Sequence, residues 1–308
     1  MRFAALGRTQ LLYKAVEAAI SSGHELVMVG TAPASPEYSV DQENFRALAE
    51  QQNCPYFCDA KINKAEYVEM AKKSQADIAF SVNWPLIVGR EIRQAFPLGV
   101  VNSHAGDLPR FRGNACPNWA ILTGEESVTV TLHQMDAGLD SGDILLQEKI
   151  PLDENTYIGA VYQSFEQIVP TLFVELLERY ERGAITPRPQ STDPEEALRC
   201  FPRRPEDSVI DWKDSAENIA RLVRASSEPF AGAFAQIKGE ILRVWRAKPV
   251  DLGYKWLGMP GQIAAIRKDG TIAVLCGQGA LLIELVSLDN GERLLPNELI
   301  RSIRERLC

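Results

Sequence analysis

Asn102 and His104 stand two residues apart, just past an apolar run at residues 98–101. That run reads as a buried strand, and residues two apart on a strand share a face. An amide and an imidazole therefore emerge together where the strand gives way to a loop rich in Gly, Pro and Arg. A second apolar run, residues 128–132, leads into a Gly-containing turn that carries Asp136, Asp140 and Asp143. A neutral imidazole can take a proton from an attacking amine or pass one to a leaving group at neutral pH. A nearby carboxylate fixes its orientation and stabilises its charged form. An Asn N–H can stabilise the oxyanion of a tetrahedral intermediate. Asn102, His104 and Asp140 thus make a kit for acyl transfer by direct attack. No Ser or Cys nucleophile is in place: Ser103 points to the opposite face of the strand, and Cys116 falls on the following helix. Of the other histidines, His24 reads as a surface residue in a turn, and His133, ending a strand, as packing against the site or lining it.

The elements that position these residues follow from apolar spacing. Residues 2–6 predict a strand ended by Gly7, and residues 9–22 a helix with Leu11, Leu12, Ala15, Val16 and Ala19 on one face. With a further strand at 26–29 this is a βαβ unit, which implies a parallel sheet. A single glycine in the first turn excludes the G-x-G-x-x-G dinucleotide fingerprint, and with it a nicotinamide cofactor. Asp41 is placed to cap a helix reaching about residue 52, and a second helix spans 64–74. Residues 78–82 read as a central strand broken by Asn83-Trp84-Pro85, 87–96 as a helix, and 144–150 as a strand. A long amphipathic helix over 156–182 contains Pro170, which should kink or interrupt it. The expected fold class is α/β, with a mainly parallel sheet in a catalytic domain of residues 1–188. The Pro-rich, charged residues 189–207 read as a linker. Beyond it, a helix at 215–225, short strands at 234–237, 242–244, 261–267, 272–275 and 281–286, and a closing helix at 296–307 predict a small barrel domain over 208–308.

Composition narrows the function classes. A net charge of −8 and a pI near 5.2 weigh against an extended nucleic-acid surface. The six cysteines are scattered, without a C-x-x-C pair or a complete zinc set, so no metal is expected. The first ten residues already read as strand and turn rather than a signal, and no run approaches the ~18 apolar residues of a membrane span. No membrane association and a cytoplasmic location are the expectation.

These residues carry a resemblance. Asn102-Ser103-His104, then Leu108-Pro109-Arg110-Phe111-Arg112-Gly113, then Leu139-Asp140-Ser141-Gly142-Asp143 resemble the ordered signature of the formyltransferases that use 10-formyltetrahydrofolate. Pro260-Gly261-Gln262-Ile263 and residues 276–281 are similar to the small OB-like C-terminal domain of methionyl-tRNA formyltransferase and its relatives. The resemblance covers nearly the whole chain. It implies a Rossmann-like catalytic domain with an OB-like β-barrel after it. Asn102, His104 and Asp140 would be the catalytic trio, moving formyl from N10 of the folate to a primary amine. It also implies a pterin slot between the Trp84, Leu86, Ile87, Val88 stretch and the loop carrying Asp136, Gly138 and Leu139, with the pterin held largely through backbone groups. One departure stands out: Gly106-Asp107 occupies the place where Leu-Leu or Ser-Leu is usual.

Two acceptor classes compete. The methionyl-tRNA branch carries a basic loop after the second strand; here residues 31–44 contain no Lys or Arg and include Glu37, Asp41 and Glu43. Conversely, residues 200–208 with Ile210-Asp211-Trp212, and Asn118-Trp119, resemble the nucleotide-sugar branch, which includes the enzyme that formylates UDP-4-amino-4-deoxy-L-arabinose. The resemblance puts Arg110, Arg112, Gly113, Asn118, Arg203 and Arg204 on the acceptor side, and paired arginines suit a diphosphate. The alternative for Arg203 and Arg204 is a solvated linker in which they pair with Glu206 and Asp207. The expected partner is a nucleotide-sugar acceptor, with tRNA the alternative and a homodimer left open. A binding module without catalysis and a formyl hydrolase remain the readings from other classes.

Overall fold

A computed structural model describes residues 1–35, 38–289 and 291–308, so Glu37 lies outside the described residues. In chain order the first elements are β1 (Arg2–Gly7), α1 (Gln10–Ser21), β2 (Glu25–Thr31), α2 (Gln42–Gln51), β3 (Tyr56–Cys58), α3 (Ala65–Ser74), β4 (Ile78–Val82), α4 (Arg90–Arg93) and β5 (Val100–His104). There follow β6 (Arg112–Gly113), α5 (Cys116–Thr123), β7 (Ser127–Gln134), β8 (Ile144–Pro151), α6 (Ile158–Glu181) and β9 (Arg199–Cys200). A 3-10 turn at Pro205–Ser208 precedes α7 (Ala216–Ser226), β10 (Ala233–Ile237), β11 (Glu240–Val250), β12 (Ile263–Ile266), β13 (Ile272–Leu275), β14 (Ala280–Leu288) and α8 (Pro296–Leu299). Two compact units result: Met1–Cys116 with Ser127–Pro151 and Tyr162–Cys200, and Pro117–Glu126 with Leu152–Val161 and Phe201–Cys308.

The first unit is built on a seven-stranded sheet in the order β3-β2-β1-β4-β5-β7-β8. The pairs from β3 to β5 are parallel; β7 and β8 add antiparallel strands at one side. β4 is buried along its whole length, as a parallel strand covered on both faces must be. On α1 the buried residues Leu12, Ala15, Val16 and Ala19 recur at helical spacing, which explains why this segment is a helix lying on the sheet. Asp41 caps α2: its carboxylate accepts the Glu43 and Asn44 amides at 2.9 and 3.2 Å, and the Asn44 side chain returns a bond to the Asp41 amide.

Several sequence expectations are corrected. The helix expected over 87–96 is one turn, α4. Asn63 holds the preceding loop extended, accepting the Gly89 amide at 2.6 Å and donating to the Ile87 carbonyl at 2.8 Å, so the helix cannot start earlier. α6 runs through Pro170 without interruption. His24 is buried, with Nδ1 3.2 Å from the terminal amine.

The second unit holds an antiparallel sheet in the order β10-β11-β14-β13-β12, packed against α7. The closing helix expected over 296–307 stops at Leu299; the chain then turns at residues 303–304 and ends in a paired stretch. Gln236 in β10 exchanges two backbone hydrogen bonds with Cys308, at 2.7 and 3.0 Å. The Leu307 amide donates to the Gly261 carbonyl at 2.9 Å, and Arg306 bridges Gln262. The tail thus pairs with both edge strands of the sheet, sharing the β10 edge with Ile210, whose amide donates to the Phe234 carbonyl at 2.8 Å.

Candidate active site

The site lies at the carboxyl end of β5, where open α/β sheets place their ligands. Antiparallel register pairs Asn102 directly with His133 and His104 with Thr131, so all four side chains share one face. Asn102 Nδ2 donates to His133 Nε2 at 3.3 Å, while His133 Nδ1–H donates to the Gln134 carbonyl at 2.9 Å. These two bonds are mutually consistent only for a neutral His133 protonated at Nδ1. Burial first, and His104 second, push His133 down to about 4.

His104 is held by backbone. Its Nε2 lies 2.6 Å from the Phe111 carbonyl, an acceptor only, so Nε2 carries the proton. Its Nδ1 faces Asp140 Oδ2 at 3.6 Å, and Asp140 Oδ1 is 3.7 Å from His133 Nε2. Asp140 Oδ2 accepts the Gly113 amide at 2.8 Å. The structure therefore brings Asn102, His104 and Asp140 together, with one change from the sequence reading. The short orienting contact on the imidazole comes from Phe111, and Asp140 stands off as a charge partner.

The Gly106 departure has a steric reason. A Cβ there would press on the Phe111 carbonyl and stand 2.6 Å from His104 Nε2, so a side chain would disturb the contact that orients the ring. Thr131 Oγ1 pins this loop by donating to the Gly106 carbonyl at 2.7 Å. Asp107 faces Lys149 at 3.6 Å. Cys116 opens α5, yet its thiol reaches back to donate to the Phe111 carbonyl at 2.9 Å. Burial pushes that thiol well up, so it serves as a donor and not as a nucleophile.

Of the residues expected around the pterin, Leu86, Ile87 and Leu139 are exposed. The Val88 side chain is in the core, in one apolar cluster with Trp84 and Met135, which brings the 84–88 stretch beside the 135–139 loop. The Ile87 and Val88 carbonyls are already engaged by Asn63 and Arg93. Asp136 shapes its own loop by accepting the Gly138 amide at 3.0 Å and the Ser141 hydroxyl at 2.9 Å. The Trp84 indole N–H is buried without a hydrogen-bond partner among the described residues.

The residues expected on the acceptor side rest in local contacts. Arg112 is bound by Gln190 through Nε at 3.1 Å and Nη2 at 2.6 Å, and the Gly113 amide is committed to Asp140. Asn118 is buried and donates to the Ala225 carbonyl at 2.8 Å. Arg203 is half-buried, donates to the Asp207 backbone carbonyl at 2.9 Å and lies over the Trp119 ring. The Arg204 amide donates to Asp207 Oδ2 at 2.6 Å, and its side chain is exposed. Arg110 is exposed beside Phe111. Sequence reasoning missed Phe111, which acts through backbone, and Gln190, which lies in the stretch read as linker; it left His133 undecided for want of the strand register. A cavity of about 490 Å³ lined by Arg2, Glu25, Cys54 and Lys73 lies at the amino ends of β1 and β2, away from this chemistry. Among the described residues no cluster of His, Cys, Asp and Glu could hold a metal, and no helix is long and apolar enough to cross a membrane.

Residues 1–177 match the family described as "Formyl transferase", and residues 203–304 match "Formyl transferase, C-terminal domain". The methionyl-tRNA formyltransferase of Citrifermentans bemidjiense is 30% identical over 299 residues, covering 96% of this chain and 91% of that protein. Among solved structures, the N-formyltransferase from Helicobacter canadensis, in complex with folinic acid and dTDP-3-aminofucose, superposes with a TM-score of 0.66 at 14% identity, over 95% of this chain and 99% of that one. HypX from Aquifex aeolicus, in complex with tetrahydrofolic acid, gives a TM-score of 0.64 at 19% identity over 98% of this chain; the chain spans about half of it, 47%.

Proposed function

This chain belongs to the formyl transferase family, and on that premise we propose that it transfers formyl from 10-formyltetrahydrofolate to the primary amine of a nucleotide-linked amino sugar. The observation that carries the chemistry is the Phe111 carbonyl on His104 Nε2, because it leaves Nδ1 as the nitrogen free to take a proton. Nδ1 removes the proton of the attacking amine. The imidazolium so formed is opposed by the Asp140 carboxylate at 3.6 Å. At an effective dielectric near 20 that attraction is worth about 5 kcal/mol before desolvation. Asn102, oriented by its bond to His133, presents an amide N–H to a carbonyl oxygen that gains charge. His133 stays neutral and so adds no competing charge.

The chain's features fit the donor. Leu86, Ile87 and Leu139 offer exposed apolar walls to a flat heterocycle. When bound, the folate supplies the formyl carbon.

For the acceptor, the support for a sugar nucleotide is the lack of Lys and Arg across residues 31–44 in a chain of net charge −8. We assign Arg110, exposed on the catalytic loop, to the acceptor's phosphates. The second reading, methionyl-tRNA, is favoured by the name of the Citrifermentans relative, whose similarity runs through nearly the whole chain. The test follows tetrahydrofolate formation optically, with a panel of amino-sugar nucleotides beside charged methionyl-tRNA. Turnover with a sugar nucleotide alone is expected; turnover with the tRNA alone would replace this reading with the translational one.

A further inference from the structure

We propose that Gln190 is a positioning residue of this active site: its carboxamide ties the loop that carries Asp140 to the loop that holds both His104 and the Asp140 carboxylate. Gln190 Nε2 donates to the Asp140 carbonyl at 2.8 Å and to the Gly142 carbonyl at 2.7 Å. Its Oε1 accepts Arg112 Nε at 3.1 Å and Arg112 Nη2 at 2.6 Å. A carboxamide has two N–H donors and one oxygen with two lone pairs, so all its capacity is engaged here. The amide cannot be turned over, because that would aim its N–H groups at a guanidinium and its oxygen at two carbonyls.

The two loops are those on which the catalytic geometry hangs. Phe111 and Gly113 flank Arg112; the first fixes His104 Nε2 through its carbonyl and the second fixes Asp140 Oδ2 through its amide. Asp140 has φ of +49°, in the left-handed region that few non-glycine residues adopt and Asp adopts more readily than most. The two bonds from Gln190 Nε2 hold that residue's own carbonyl and the Gly142 carbonyl two residues on. β9 supports the same loop from its other side, with the Arg112 amide on the Leu198 carbonyl at 2.8 Å and the Asn114 amide on the Cys200 carbonyl at 3.1 Å. The segment between α6 and the second unit is therefore part of the catalytic frame, and Arg112 is its strut.

This proposal rests on the catalytic reading of Asp140, and its test separates the two. Gln190→Met and Gln190→Glu are made in the full chain, each with Asp140 intact and in the Asp140→Asn background, and turnover is measured with the acceptor that the panel identifies. Gln190→Glu keeps an acceptor for Arg112 but loses the donors and sets a carboxylate oxygen against the Asp140 and Gly142 carbonyls, so it decides the matter should Gln190→Met fail to fold. With Asp140 intact, kcat should fall about tenfold to a hundredfold, the scale of a misplaced catalytic group, with KM for the folate within about twofold. In the Asp140→Asn background the same change should cost several-fold less than with Asp140 intact, because only the hold on the loop of Phe111 and His104 is then left to lose. An unchanged kcat in folded Gln190→Met, or an equal loss in both backgrounds, overturns the proposal. Asp140→Asn turning over like the wild type overturns the catalytic reading itself, and the proposal with it, without recourse to any Gln190 variant.

Discussion

A histidine whose Nε2–H is fixed on a carbonyl can work only through its other nitrogen, and two substitutions probe that arrangement from opposite sides. Asp140→Asn keeps the shape but removes the charge facing Nδ1, and should lower kcat by about a hundredfold to a thousandfold. Folate binding, followed by calorimetry, should stay within a few-fold; a parallel loss of binding would make Asp140 a folate ligand instead. Gly106→Ala adds one methyl against the Phe111 carbonyl and His104 Nε2, and should lower kcat by tenfold or more while the fold persists, as judged by circular dichroism. His133 offers a different readout. Its folded value is about 4, against roughly 6.5 unfolded, so the unfolded chain binds a proton the folded chain refuses. The stability present above pH 6.5 is thus lost as pH falls toward 4, by about 3 kcal/mol. Urea midpoints measured at pH 7.5 and 4.5 should show this loss, and His133→Gln should shrink it.

At the scale of elements, what could be read in the sequence was local. β4 and β13 follow from short, mainly apolar runs, α1 from its apolar stripe, and the start of α2 from Asp41. The pairing of Asn102 and His104 on one face followed from strand alternation alone. What could not be read was set by partners distant in sequence. α4 is short because Asn63 holds the loop before it, and the last residues are extended because Gln236 and Gly261 supply their hydrogen bonds. Gln190 is silent in sequence, a polar residue among prolines, and gains its role only from two loops 48 and 78 residues away. The tail yields a prediction at this scale. Deleting residues 306–308 removes the buried Leu307 and the bonds that Gln236 and Gly261 make to the tail, and should destabilise the second unit by about 3 kcal/mol or more. A thermal midpoint unchanged by the deletion would contradict the edge-pairing role.

For the molecule as a whole, charge separates the two acceptor classes. The chain carries 33 Lys and Arg against 41 Asp and Glu, and the segment following β2 adds no cation. An enzyme that grips a nucleic acid must gather basic side chains along the backbone, and it then loses affinity steeply with salt through counterion release. For six to ten phosphate contacts the loss is about 10³- to 10⁵-fold between 50 and 200 mM. A sugar nucleotide presents one diphosphate, so only one or two charge pairs are screened. The acceptor KM should therefore change by less than about fivefold across that salt range, with the folate held saturating. A log–log slope near −1 or shallower fits a small diphosphate on this surface. A slope of several would mean that basic residues scattered through an acidic chain converge on a polyanion, and the acceptor would then be the tRNA.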